Sequence, residues 1–100
     1  MKKRRAAFAD RVRAIVKRIP AGRVLMYRDV ARLAGNPKAC RAVGNIMNKN
    51  RDPDVPCHRV VRSDGTVGGY AWGTRKKIER LRKEGIRIAS SGGRHVIISP

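Results

Sequence analysis

Phe8, Val12, Ile15, Val16 and Ile19 recur at intervals of three and four, which predicts an amphipathic helix running to Pro20. Pro20-Ala21-Gly22 reads as a turn, and Val24-Leu25-Met26-Tyr27 as a short extended apolar piece. A second, short helix is expected from about Arg28 to Ala34, with Val30 and Leu33 inward and Gly35 as its stop. Asn36-Pro37 carries the signature of a new helix start, a capping residue followed by proline. From there Ala39, Val43, Ile46 and Met47 form an apolar face, while Lys38, Arg41, Asn45, Asn48 and Lys49 lie opposite it. Small Ala42 and Gly44 stand beside that polar face. Two helices joined by a tight Gly-Asn-Pro turn, the second with a basic polar face, make a helix-turn-helix.

Beyond it the pattern is more broken. Asn50 to Asp54 is polar, Val55 to Val61 is apolar and expected to be buried, and Ser63-Asp64-Gly65-Thr66 is a turn. Gly68, Gly69 and Gly73 suggest a loop that something approaches closely. Thr74 is a candidate cap for a last helix with Ile78 and Leu81 inward, ending at Gly85. Its first turn carries Arg75, Lys76 and Lys77, and its last carries Glu84, both of the wrong sign for the helix dipole. External partners account for such choices: phosphates for the cations, a buried donor for the glutamate. Ile86 to Ile98 fits a small hairpin around Ser90-Ser91-Gly92-Gly93. The fold class predicted is mainly α, a winged-helix-like helix-turn-helix domain with a small β-hairpin. A single domain over residues 1–100 is expected, with residues 1–7 as a basic arm.

Charge changes the picture most. Twenty-five Lys and Arg face seven Asp and Glu, for a net +18 on 100 residues. Such an excess repels itself in a compact state, and nucleic acid is its usual partner, because bound cations release counterions from phosphates. No long apolar run or basic amphipathic helix with an aromatic face points to a membrane. Met1-Lys2-Lys3-Arg4-Arg5 is followed by Asp10, Arg11 and Arg13, so no apolar stretch completes a signal peptide. With only two cysteines, a reducing cytoplasm is expected, without a Cys40–Cys57 disulfide. Cys40, Cys57, His58 and His95 match no zinc spacing, so no metal is expected.

A cysteine beside a histidine inside an apolar run is the clearest chemical feature. A thiol needs a base, a cation or a helix N-terminus to become a nucleophile, and His58 and Arg59 are candidates. By itself the pair is also compatible with a buried, inert cysteine. The surrounding string, Val55-Pro56-Cys57-His58-Arg59-Val60-Val61, resembles the active-site signature of the methylated-DNA–protein-cysteine methyltransferases, or O6-alkylguanine-DNA alkyltransferases. Gly22-Arg23-Val24, Tyr27, Ala34-Gly35-Asn36-Pro37, Arg41-Ala42-Val43-Gly44, Asn50, Gly68-Gly69-Tyr70 and Arg82-Lys83-Glu84-Gly85 recur in the family's order. The resemblance spans roughly Phe8 to Ile88.

The resemblance implies that Cys57 accepts the alkyl group from guanine O6 by in-line displacement. His58 would take the thiol proton through a water, Glu84 would orient the imidazole, and Asn50 would fix the turn carrying Cys57. Tyr27 would donate to guanine N3, the carbonyls of Cys57 and Val60 would accept from the exocyclic amine, and the Ala71 amide would donate to O6. The helix-turn-helix would enter the minor groove of double-stranded DNA containing O6-alkylguanine, with little sequence preference, and the nucleotide would be flipped out. Ala39, Ala42 and Gly44 would permit close approach, Lys38 and Asn45 would share that surface, and Arg41 would fill the vacated base stack. No cofactor is implied, a monomer is expected, and a stable thioether would limit each molecule to one turnover.

Three departures stand out. The family usually carries an N-terminal domain, whereas this sequence begins just before the DNA-binding domain. Ala71 stands where many members have serine, and Trp72 where others have glycine. Trp72 is expected to narrow the pocket and favour methyl over bulky adducts. Two other readings stay open. Alkyltransferase-like proteins are similarly short, bind the lesion without transfer and hand it to excision-repair proteins, but they lack the cysteine. A plain helix-turn-helix regulator would use Cys57 only for packing.

Overall fold

The structure is a computed structural model that describes residues 7–99. Of the expected basic arm, residues 1–7, positions 1–6 lie outside the described residues. Four helices carry most of the chain: α1 (Phe8–Lys17), α2 (Tyr27–Leu33), α3 (Cys40–Lys49) and α4 (Thr74–Lys83). Two short strands, β1 (Leu25–Met26) and β2 (Val60–Val61), pair in parallel, and β3 (Arg87–Ser91) and β4 (Arg94–Ser99) form an antiparallel hairpin. The predicted class, mainly α with a helix-turn-helix and a small hairpin, is the class observed.

Helix α1 buries Val12 and Val16, one turn apart, and Ile19 continues the stripe past its end. It stops at Lys17 and not at Pro20. The residue before a proline is pushed out of helical geometry, so Arg18 and Ile19 close with short turns onto Ile15 and Val16. In α2, Asp29 accepts the Met26 N–H at 3.0 Å and so satisfies a donor at the helix start. Gly35, at φ +94, lets the chain reverse, and the Asn36 N–H reaches back to the Ala31 carbonyl at 3.0 Å. The buried face of α2 is Tyr27, Val30, Ala31 and Ala34. Leu33, expected inward, is 55% exposed; at ~100° per residue it sits about 120° from that face.

The start of α3 also differs from expectation. Asn36 and Pro37 do not begin it. The Asn36 side chain accepts from the Lys38 N–H and its carbonyl from the Ala39 N–H, so this segment forms a turn and the helix begins at Cys40. Val43 and Met47 are buried, while Arg41, Ala42, Asn45, Asn48 and Lys49 face outward. Thr74 makes no capping hydrogen bond; Gly73, at φ +98, takes the cap position and accepts the Lys77 N–H through its carbonyl.

Two packed clusters hold these elements. One joins α1, α2, α3 and the Val55–Val60 segment around Val12, Val30, Val43 and Met47. The other gathers Val61, Val67, Ile78, Leu81, Ile86 and Ile88 between α4 and the hairpin. The β1–β2 pairing, with Leu25 opposite Val60 and Met26 opposite Val61, spans the two. It sets the start of α2, and with it Tyr27, beside the segment carrying Cys57.

Candidate active site and nucleic-acid interface

Cys57 opens a single 3-10 turn, Cys57–Arg59, and is 2% exposed. The turn is held from the end of α3. Asn50 Nδ2 donates to the Val55 carbonyl at 3.2 Å, to the Asp52 carbonyl at 3.2 Å and toward Cys57 Sγ at 3.4 Å. Asn50 Oδ1 in turn accepts from the Asp52 N–H. One buried amide thus ties the loop of residues 51–55 to the sulfur. Cys40 and Cys57 are both free thiols.

His58 is buried behind the cysteine, and its Nε2 lies 2.8 Å from Glu84 Oε2. Burial opposes charge on this imidazole and lowers its pKa, although Glu84 pulls the other way. Burial would also raise the Glu84 pKa, but hydrogen bonds from Arg59 and His58 outweigh it and hold the carboxyl at about 2. An ionised Glu84 needs a donor, so Nε2 carries the proton and Nδ1 presents a lone pair. Nδ1 is buried and has no hydrogen-bond partner among the described residues.

Arg59 does not act on the thiol as one of the candidate cations. Its Nε donates to Glu84 Oε1 at 3.0 Å, one terminal nitrogen donates to Glu84 Oε2 at 2.8 Å, and the other to the Ile19 carbonyl at 2.7 Å. It is a clamp on the carboxylate, closed by the chain end of α1.

Lys77 was read from the sequence as a surface cation for phosphate. It is instead fully buried. Its Nζ donates to the Val60 carbonyl at 2.7 Å and the Gly69 carbonyl at 3.0 Å, and lies 5.8 Å from the Tyr27 ring centre. Burial pulls its pKa down to about 7, partly offset by Cys57. The signal was present in the helical spacing, since Lys77 precedes Leu81 by one turn on the inward face. One consequence touches an expected role: the Val60 carbonyl already accepts from Lys77 and has one lone pair left.

The outward face of α3 borders a cavity of about 770 Å³ whose walls include Tyr27, Lys38, Cys40, Arg41, Asn45 and Arg62. Gly44 faces the Tyr27 ring, where a Cβ would stand at 3.8 Å in ordinary contact, so the helix's approach to Tyr27 does not itself require glycine. Burial raises the Tyr27 pKa, partly offset by the Arg62 charge, so its hydroxyl stays protonated and able to donate. Ala39 is half-buried at the helix start, and Ala42 is exposed on its outer face. Ala71 and Trp72 occupy the centre of a turn closed by the Gly73 N–H and the Tyr70 carbonyl. Trp72 is 39% exposed, packs on Tyr70 at 5.3 Å between ring centres, and carries the Arg51 guanidinium 5.5 Å above its ring. No group of three or more His, Cys, Asp or Glu side chains converges on a possible metal position among the described residues.

Fold and site together define a helix-turn-helix domain whose second helix borders a cavity, with a buried cysteine on the same 3-10 turn as a histidine bound to Glu84. The chain belongs to the 6-O-methylguanine DNA methyltransferase family, matching the model of that family's DNA-binding domain over residues 7–86. It is 47% identical over 79 residues to the methylated-DNA–protein-cysteine methyltransferase of Homo sapiens, covering 78% of this chain and 38% of that protein. It is 43% identical over 82 residues to the bifunctional transcriptional activator/DNA repair enzyme Ada of Escherichia coli, covering 81% of this chain and 23% of that protein. The chain therefore spans between about a quarter and two fifths of the length of these curated relatives.

Among solved structures, S. pombe Atl1 in complex with damaged DNA containing O6-carboxymethylguanine superposes with a TM-score of 0.83 at 33% identity. That match covers 94% of this chain and 91% of Atl1. Mycobacterium tuberculosis OGT in complex with DNA superposes with a TM-score of 0.75 at 36% identity, covering 82% of this chain and 51% of that one.

Proposed function

We propose that this protein repairs DNA by direct reversal: it binds duplex DNA through α3, flips O6-alkylguanine out of the stack and takes the alkyl group onto Cys57. The observation that carries the reading is a buried thiol on the same 3-10 turn as an imidazole whose Nε2 is 2.8 Å from an ionised, clamped Glu84 and whose Nδ1 has no hydrogen-bond partner among the described residues. In this scheme His58 Nδ1 takes the thiol proton through a water, and the imidazolium is stabilised by Glu84. The sulfur attacks the alkyl carbon, the carbon–O6 bond breaks, and its electron pair leaves with guanine. Tyr27 donates to guanine N3 and the Ala71 amide to O6, while the carbonyls of Cys57 and Val60 receive the exocyclic amine. Arg41 fills the gap in the stack, Lys38 and Asn45 face the backbone, and small Ala39, Ala42 and Gly44 allow the minor-groove approach. The thioether product is stable, so each molecule reacts once. A reducing compartment such as the cytoplasm keeps the thiol competent.

The near-complete mutual coverage with Atl1 favours a second reading, a lesion-binding alkyltransferase-like protein that recruits excision repair without transfer. The presence of Cys57 with its relay weighs for transfer. Intact-mass measurement after mixing with duplex DNA containing O6-methylguanine separates the readings. A gain of one methyl group, absent in Cys57→Ala, supports transfer. Lesion-selective binding with no mass change supports the alkyltransferase-like reading, and preference for one undamaged sequence supports a regulator.

A further inference from the structure

Arg62 has no role in the scheme above, yet it is held in a defined place at the cavity. Its N–H donates to the Thr66 carbonyl at 3.0 Å and its carbonyl accepts the Gly65 N–H at 3.0 Å, so its backbone is fixed in the turn after β2. That turn is braced by Asp64 Oδ1, which accepts from both the N–H and the hydroxyl of Thr66. The side chain then runs across Gly68. A Cβ on Gly68 would stand 3.2 Å from Arg62 Cγ and 3.2 Å from Tyr27 Oη, so the arginine stem and the phenol meet at one point. Gly68 also has φ +80, which a side chain would strain.

Charge around the cavity is one-sided. Lys38 comes from the turn before α3, Arg41 from α3 and Arg62 from the turn after β2, and among the described residues no carboxylate lines the space. Among the described residues none of these three cations forms an ion pair. Three cations converging without a protein counter-charge call for an anion from outside.

The proposed position of guanine names that anion. N3 is separated by a single ring carbon from N9, the nitrogen that bears the sugar. A group that donates to N3, as Tyr27 does in the proposed reading, therefore stands beside the deoxyribose and its two phosphates. We propose that Arg62 grips a phosphate flanking the flipped nucleotide, in the cavity it shares with Lys38 and Arg41. Arg62 thereby holds the extrahelical nucleotide in the cavity and acts as a positioning residue. This inference rests on the base-flipping reading and adds to it a contact with the backbone of the lesion strand.

The test is a coupling measurement by fluorescence anisotropy on duplexes with and without O6-methylguanine. In each, the phosphate on the 5′ or 3′ side of the lesion is either native or a neutral methylphosphonate. Arg62→Ala should bind the lesion duplex about tenfold more weakly, the order expected for one charge-assisted contact. Its slope of log affinity against log salt should be shallower by about 0.9. Arg62→Lys should restore the slope, and an unchanged thermal melt will show that the exposed substitution leaves the fold intact. At one of the two positions the methylphosphonate should weaken the wild type as much as Arg62→Ala does, and cost the variant nothing more. Losses that simply add at both positions overturn the phosphate contact while leaving base flipping standing. Equal affinity of the wild type for lesion and undamaged duplex overturns the base-flipping reading and this contact with it.

Discussion

Lys77→Met removes an ammonium that has no access to water, at nearly constant volume. An unfolded lysine titrates near ~10.4, whereas in the folded chain burial brings Lys77 down to about 7. Between those values the unfolded chain binds a proton that the folded chain does not, so stability rises with pH across this window. A full proton corresponds to about 1.4 kcal/mol per pH unit, less near pH 7 where folded Lys77 is itself half-protonated, so the gain is about 2 kcal/mol between pH 7 and pH 9. The variant lacks that slope. It also leaves the Val60 and Gly69 carbonyls without their donor, at a cost of roughly 1–3 kcal/mol for each buried acceptor. That loss is nearly independent of pH, because a neutral amine still donates. The quantity to measure is therefore the difference between the two proteins, not either stability alone. Urea denaturation at pH 7, 8 and 9 supplies it, best in a Cys57→Ser background because the Cys57 charge acts on Lys77. The wild type should gain on the variant by about 1 kcal/mol from pH 7 to pH 8 and slightly more from pH 8 to pH 9. A difference that stays constant with pH would refute the argument, since Lys77 would then titrate alike in both states.

Other substitutions probe the rest of the site. Asn50→Ala removes the side-chain donor shared by the Val55 and Asp52 carbonyls, each of which keeps a backbone donor, and should cost about 1 kcal/mol in urea denaturation; a stability within error of the wild type would rule out Asn50 as the tie of the loop. Glu84→Gln should slow methyl transfer by about 10²-fold, the low end for losing an effective general base, and full activity at neutral pH would remove Glu84 from the relay. Arg41→Ala should slow repair in duplex DNA more than reaction with the free base, and equal losses would count against insertion into the base stack. Trp72→Gly should widen the range of adducts; wild-type rates that are already equal on O6-methyl- and O6-benzylguanine would show that the indole, fixed between Tyr70 and Arg51, sets no size limit.

Elements whose role is set by apolar spacing were legible in the sequence. The stripes of α1 and α3, the Gly35 and Gly85 stops and the terminal hairpin all follow from it. Boundaries that depend on which of two local hydrogen-bond patterns wins were not. Asn36-Pro37 can cap a helix or close a turn, and the chain takes the turn. Thr74 yields the cap to Gly73, whose positive φ no hydroxyl can supply. Lys77 carries the charge of a surface residue and yet is buried, and only its spacing from Leu81 marks the inward face. Arg59 stands next to His58, but only the folded chain brings it, with His58, onto Glu84 across more than twenty residues. The resemblance could name Cys57, His58, Asn50 and Glu84; that the Arg59 guanidinium clamps the glutamate is a property of three-dimensional packing.

The central claim is that the sulfur of Cys57 receives the alkyl group. Incubating the protein with excess duplex DNA carrying deuterium-labelled O6-methylguanine, followed by peptide sequencing in the mass spectrometer, tests it most directly. The labelled methyl should appear on Cys57 alone, at one per molecule, and a second addition of lesion DNA should add nothing. Unlabelled Cys57 in a protein that binds the lesion, or label on Cys40 in its place, would contradict the claim.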